Sequence, residues 1–366
     1  MRALVIGGTG PTGHFIVNGL LDRGYEVAIL HRGTHEIPEI PAQVEHIHAD
    51  PYSEDVFAAA LQDRTFDLCV ASYGRLRRIA EIMVDKTERF VSIGGVPAYR
   101  GYMNPRLFSP AGIPTPIRED APVVSDVSED EKGWRIVRTE KAVFAAHPRA
   151  VHFRYPYVYG RYQLMPREWC IVRRILDGRP HIIVPEDGLS LQTYGYSGNL
   201  AHAVLLGVDN PEVAAGQIYN CADEEILSVR QVVELIASEL GHEWEIVSMP
   251  WELAIPSRPL VSQPLCTHRM LDLGKIRHEL GYRDILPARK AIAEYARCLV
   301  EQPPEPGGTE EMALQDPFDY QAEDKLIAAW KRALASMPEI HYDVEPGYTL
   351  SYSGPGGRAP TRKFER

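Results

Sequence analysis

The chain has 366 residues, 45% hydrophobic and 24% charged, with a formal net charge of −11. That is an ordinary composition for a soluble globular protein, long enough for one large core and a second, smaller one. The acidic balance disfavours non-specific binding to nucleic acid or anionic membrane; no apolar stretch approaches a membrane span, and "MRALVIGGTG" opens directly into a strand-and-turn pattern, so a cytoplasmic protein with neither kind of partner is expected.

Six short apolar runs alternate with amphipathic stretches through the first half: "RALVIG", "YEVAIL", "QVEHIHA", "FDLCVA", "RFVSIG" and "AVHFRYP". They are nearly continuous, as in strands covered on both faces. Between them "HFIVNGLLDRG", "SEDVFAAALQD" and "RLRRIAEIMVD" have helical spacing, and "KGWRIVRTEKAVFAAH" is a helix before the sixth strand. This alternation, with right-handed crossovers, predicts an α/β fold over residues 1–161: a Rossmann-type doubly wound parallel sheet with helices on both faces.

From about Tyr162 the order changes. "REWCIVRRILDG" and "NLAHAVLLGVD" read as helices and "HIIVPED" as a strand. "SVRQVVELIASELG" is a helix with Ser228 at its N-cap and Gly241 just past its end. "DLGKIRHELGY" and "ARKAIAEYARCLVE" add two more. Residues 162–302 are therefore predicted to form a smaller α+β substrate domain, partly interwoven with the first. "QPPEPGGTEE" then opens a C-terminal extension, 303–366, with one helix, "EDKLIAAWKRALASM", and a tail rich in Gly, Pro and basic residues. The five cysteines, Cys69, Cys170, Cys221, Cys266 and Cys298, are scattered with no CxxC spacing. Reduced thiols and no metal site are expected.

"VIGGTGPTGHFIVNGLL" lies at the first strand-to-helix turn. Its Gly7, Thr9, Gly10, Pro11, Thr12 and Gly13 would let the backbone approach a pyrophosphate, which the following helix N-terminus attracts. Where an NAD-selective site places an acid, after the second strand, this chain has His31 and Arg32. An arginine there suits a 2′-phosphate, so NADP(H) is the expected cofactor and NAD(H) the alternative. Asp50, after the third strand, is placed to meet the adenine edge, or else starts the next helix. Ser72 and Tyr73 follow the fourth strand and complete the expected cofactor crevice.

On "GGTGPTG", "RYPYVYG", "TYGYSGNLAHAVLLGV", "QIYNCADEEILSVRQVVELI" and "DLGKIRHELGY", the chain resembles the extended short-chain dehydrogenase/reductases. The resemblance is to their NAD-dependent epimerase/dehydratase group and its atypical members, over roughly the first three hundred residues. It implies a lysine at the nicotinamide ribose, here Lys141, with a tyrosine one turn earlier and a Ser or Thr after the fifth strand. Val137 occupies the tyrosine's place and Gly95 the hydroxyl's, with Ser92 the fallback. Two of the three usual side chains are thus missing. The resemblance also implies a homodimer through helices flanking the sheet.

Hydride transfer needs only the nicotinamide and an acceptor carbon held nearby. A relocated tyrosine, Tyr99 or Tyr157, is the expected acid or substrate-orienting group, and Tyr155 is expected beside the cofactor. The competing reading is that these are packing aromatics with satisfied hydroxyls. Arg167 is either an anion-holding residue or a surface arginine on a helix's first turn. Arg75, Arg77 and Arg78 read better as a solvated helix face, and His202 as a core or interface histidine. The expected function is an NADP(H)-dependent oxidoreductase acting on a small, partly apolar or aromatic carbonyl, enone or alcohol. The alternatives are a sugar-nucleotide epimerase or dehydratase with tightly bound NAD, and a non-catalytic nucleotide-binding or redox-sensing protein.

Overall fold

The computed structural model describes residues 1–72 and 74–343. Residues Met1–Phe318 form one unit and Asp319–Arg366 a second. The first half follows the predicted order: β1 (Arg2–Ile6), α1 (Gly13–Asp22), β2 (Glu26–His31), β3 (Glu45–His48), α2 (Glu54–Ala60), β4 (Phe66–Ala71), α3 (Leu76–Ile82), β5 (Thr87–Gly95), α4 (Glu131–Ala146) and β6 (Val151–Tyr155). Then come β7 (Tyr157–Tyr159), α5 (Trp169–Leu176), β8 (His181–Pro185), β9 (Leu191–Gln192), β10 (Tyr194–Tyr196), α6 (Ser197–Asp209), α7 (Pro211–Ala214), β11 (Ile218–Asn220) and β12 (Leu227–Ser228). The unit closes with α8 (Val229–Glu239), β13 (Glu245–Met249), α9 (Arg258–Val261), α10 (Gly274–Leu280), α11 (Ala288–Glu301) and α12 (Thr309–Leu314).

Seven strands form one parallel sheet in the order β11-β6-β5-β4-β1-β2-β3. Successive strand residues point to opposite faces. Ala3, Val5, Val27, Ile29, Leu68 and Val70 pack with α1 and α6; Leu4, Ile6, Ala28, Leu30 and Cys69 pack with α2 and α3. Both faces are covered, which is why these strands read as unbroken apolar runs. The seventh strand, β11, has three residues and no sequence period of its own; it joins β6 in parallel register.

A second core lies among α5, α8 and α11, with Ile182 and Val184 of β8 and Leu314 of α12. Ser228 caps α8 through a capping box with Gln231, and Gly241 beyond its end has φ +63°. Residues 303–318, read in the sequence as part of an extension, pack into this unit. Glu311 accepts from Trp169 Nε1 at 2.8 Å, and Asp316 pairs with Arg174 at 2.7 Å, both side chains almost fully buried. In the second unit, Tyr320–Ala335 forms α13, whose N-cap Asp319 accepts from the Ala322 N–H. The basic tail falls outside the described residues.

Candidate functional site

The strand order reverses between β1 and β4, so a crevice opens at their carboxyl ends. The glycine turn shapes it. Gly7 and Gly8 have φ of +104° and +92°, a region only glycine adopts freely. A Cβ on Gly13 would stand 2.5 Å from the carbonyl carbon and oxygen of Gly8, so helix and loop close on each other only with glycine there. A Cβ on Gly10 would meet nothing within 4 Å. Thr12 precedes α1 without a side-chain capping bond, so its hydroxyl does not satisfy the N–H groups of the helix N-terminus. This cradle fits a pyrophosphate. Thr9, Pro11 and Thr12 are half-buried along it. Ser72 comes to the same place: its Oγ stands 3.4 Å from where a Cβ on Gly7 would lie and bonds the Ile6 carbonyl at 3.4 Å. Tyr73 lies outside the described residues.

At the end of β2 the two predicted residues divide. Arg32 is exposed, with no partner among the described residues. His31 is 7% exposed and turns to β3, its Nε2 lying 3.0 Å from His46 Nδ1. His48 is level with His31 across the strand pair, and its Nε2 lies 3.3 Å from Glu36 Oε1. The sequence reading expects no metal ligands; the fold brings these four side chains together, with one ligand atom from each within 4.8 Å of the others. Asp50 uses one oxygen to accept the Tyr52 N–H at 3.0 Å, organising the turn before α2.

Val137 is buried against Ala98 and Val124, where α4 crosses the turn beyond β5. One helical turn on, Lys141 is exposed, with no partner for its ammonium among the described residues. The expected relocated tyrosines are not free. Tyr99 is fully buried and donates to Asn220 Oδ1 at 2.6 Å, and burial pushes its pKa up to about 12. The Tyr157 hydroxyl donates to the Met165 carbonyl and accepts the Arg167 N–H at 2.7 Å, and burial raises its pKa well above the ordinary value. Both hydroxyls are engaged by protein groups, which favours the packing reading over the relocated-acid reading for both. Tyr155 is a core residue whose hydroxyl meets the Leu200 carbonyl at 3.3 Å.

Ser92 requires the same correction. It is fully buried, and β6 takes up its hydroxyl: Oγ lies 2.7 Å from His152 Nδ1 and 3.4 Å from the Val151 carbonyl. His152 Nε2 lies 3.3 Å from Glu140 Oε1 without a hydrogen bond, and Glu140 receives both arms of Arg154 at 2.8 Å. The Arg154 guanidinium in turn sits 4.6 Å over the Tyr99 ring. The order Ser–His–Glu resembles a nucleophilic triad, but Ser92 and His152 are 0% exposed and Glu140 5%, so no substrate reaches it. This is a buried structural network. Burial alone would raise the Glu140 pKa; the bidentate Arg154 more than offsets that and holds it at about 2.

In the second core Arg167 is buried rather than on the surface. Its guanidinium lies 3.6 Å over the Tyr157 ring and 5.5 Å from that of Tyr194, and Glu168 beside it is pushed up to about 7 by burial. Arg269, passed over in the sequence, is also buried. It donates to Gln192 Oε1 at 2.7 Å and to the Val261 carbonyl, and stacks 5.1 Å over Tyr102. Neither arginine has a carboxylate within ion-pair distance among the described residues; the guanidinium groups are held by ring faces and neutral oxygen acceptors instead. The available signal was position: Arg269 stands three residues before the "DLGKIRHELGY" run. A cavity of about 540 Å³ is walled by Phe108, Pro110, Ile113, Cys266 and by His268, the residue before Arg269 in the chain. The remaining candidates take their structural readings. Arg75 covers the Tyr52 ring, Arg78 pairs with Glu54 and Glu81, and His202 packs near Tyr282 with its pKa lowered by burial.

No family model matches the chain. The chain is 24% identical, over 77% of its length and 75% of the relative's, to the chloroplast stem-loop binding protein of 41 kDa b of Arabidopsis thaliana. It is 25% identical, over 66% of its length and 76% of the relative's, to a bifunctional pinoresinol-lariciresinol reductase of Linum corymbulosum. A UDP-glucose 4-epimerase from Thermotoga maritima, solved with UDP-glucose, superposes with TM-score 0.66 at 15% identity over 82% of this chain and 99% of that one. A dTDP-glucose 4,6-dehydratase from Streptomyces venezuelae, solved with NAD and TYD bound, gives 0.61 at 19% identity over 82% and 98%. The fold is that of the NAD-dependent epimerase/dehydratase enzymes, the extended short-chain dehydrogenase/reductases, as the resemblance implies. Among the described residues no helix is long and apolar enough to cross a membrane.

Proposed function

We propose that the protein is an NADP(H)-dependent oxidoreductase with a non-standard catalytic site. The observation that carries this reading is the cradle at Gly7–Gly13, shaped for a pyrophosphate and followed at the end of β2 by an exposed arginine with no partner among the described residues. The pyrophosphate lies over Gly10 at the N-terminus of α1, and Arg32 pairs with the 2′-phosphate. Lys141, whose ammonium has no partner among the described residues, holds the nicotinamide ribose. The cofactor supplies hydride chemistry. The cavity beside Arg269 receives a small, partly apolar substrate, and its aromatic and proline walls suit a carbonyl or enone better than a sugar. The reductase activity named for the Linum relative supports this class.

A second reading, dinucleotide binding without turnover, is favoured by the buried Val137 and the saturated hydroxyls of Tyr99 and Tyr157. The Arabidopsis relative is likewise named for binding. Titration with NADPH and NADH, followed by nicotinamide fluorescence, tests both. Wild type should bind NADPH more tightly, and Arg32→Ala should lose roughly tenfold or more of that affinity while NADH binding stays unchanged. Equal binding of NADH would remove the NADP(H) assignment. Binding without reduction of any carbonyl or enone substrate, together with a Lys141→Ala variant that weakens only binding, would favour the second reading.

A further inference from the structure

We infer that His31, His46, His48 and Glu36 form a binding site for a borderline divalent transition ion, zinc foremost. The sheet builds three-quarters of it. Residues two apart in a strand share a face, so His46 and His48 of β3 point the same way. The parallel register places His31 level with His48, which sets its imidazole on that face too. The connection between β2 and β3 then brings back Glu36, whose Oε1 lies 3.3 Å from His48 Nε2 and 3.8 Å from His46 Nδ1. His31 Nε2 to His46 Nδ1 is 3.0 Å. In a tetrahedral site with bonds of about 2.0–2.1 Å, ligand atoms stand roughly 3.4 Å apart; these three pairs bracket that value, and all four ligand atoms lie within 4.8 Å of one another, so a small side-chain adjustment closes the shell. Three imidazoles and one carboxylate select zinc, cobalt, nickel or copper over magnesium or calcium, which prefer all-oxygen sets.

The side chains also provide a way in. His31 forms the floor at 7% exposed, His46 is 27% exposed, and His48 and Glu36 are 54% and 56% exposed. Four protein ligands fill a tetrahedral shell, so the ion is structural. It clasps the residue 32–44 connection to β3, the end strand of the sheet. One proton must move. The Gly33 N–H donates to His31 Nδ1 at 3.2 Å, which leaves the His31 proton on Nε2. On binding, His31 gives up that proton and takes one at Nδ1, and the exposed Gly33 N–H turns to water.

The site shares no residue with the cofactor contacts proposed above and is tested without cofactor. The full chain, stripped with a chelator, is titrated with cobalt(II) and then zinc(II), following the visible absorption of tetrahedral cobalt. One equivalent of cobalt should bind with a tetrahedral spectrum and be displaced by zinc, and zinc should raise the melting temperature. The His46→Ala/His48→Ala variant removes two part-exposed side chains and should keep the metal-free melting temperature of wild type. Its metal affinity should fall by more than the about ten- to hundredfold that loss of an outer-shell partner brings. Absence of stoichiometric binding by wild type, or equal binding by the variant, overturns the assignment. Nicotinamide titration in the presence of chelator reads the cofactor site separately.

Discussion

At the residue scale, Val137 set the question of how a chain without the usual tyrosine could move a proton. The sequence supplies tyrosines near the cleft but not their partners, and the partners decide the matter. Tyr99 donates into Asn220, 121 residues away, and Tyr157 is closed between Met165 and Arg167. Both hydroxyls are engaged within the protein, whereas the Lys141 ammonium has no partner among the described residues. Glu140 shows the same economy from the acidic side. Its pKa, held at about 2 by Arg154, lies below the value of about 4.3 expected in the unfolded chain. The stability it contributes is complete above the unfolded value and is lost as pH falls through about 2. Denaturant titrations from pH 6 downward should show on the order of 3 kcal/mol of acid-labile stability from this group. Glu140→Gln should abolish that component and cost about 3–5 kcal/mol at neutral pH, because Arg154 is left buried without its carboxylate. If stability in the variant keeps the acid dependence of wild type, Glu140 is not its source.

At the element scale, the turn from β1 to α1 carries two glycines with opposite duties. Gly13 is required by the protein itself, since a Cβ there would strike the Gly8 carbonyl. Gly10 is required only by what lies outside the protein, since a Cβ there touches nothing within 4 Å. Gly13→Ala should therefore lower the melting temperature and cofactor affinity together. Gly10→Ala should leave the melting temperature within about a degree of wild type and still weaken NADPH at least about tenfold, by occupying the phosphate's space. Thermal melts and fluorescence titrations of the two variants separate these effects. Unimpaired NADPH binding by Gly10→Ala would mean that the pyrophosphate does not sit on this turn. The turn was legible in the sequence because its chemistry is local: a strand, four glycines and a helix within twenty residues. The histidine cluster was not, because its spacing of fifteen and seventeen residues acquires meaning only when β2 and β3 lie side by side.

At the scale of the molecule, the unit Met1–Phe318 ends later than composition suggests. "QPPEPGGTEE" reads as a linker, yet Glu311, its last residue, and Asp316 just beyond it pair with Arg173 and Arg174 of α5. A chain ending at Phe318 should fold and bind NADPH as the full chain does. One ending at Gln302 strips a buried guanidinium of its bidentate carboxylate and should lose several kcal/mol, read as a lower denaturant midpoint or failure to fold. Equal midpoints for the two truncations would show that residues 303–318 are dispensable. The sequence by itself determined the six central strands, the helices between them, the capped α8 and the glycine cradle. Each of these follows from periodicity or backbone freedom within a short window. Only the tertiary structure decided which tyrosine hydroxyls are engaged, that Ser92 faces β6, that Arg167 and Arg269 are buried without carboxylate partners among the described residues, and that His31, Glu36, His46 and His48 converge. Those outcomes depend on which distant residue each polar atom meets, and the sheet order and its register set that distance.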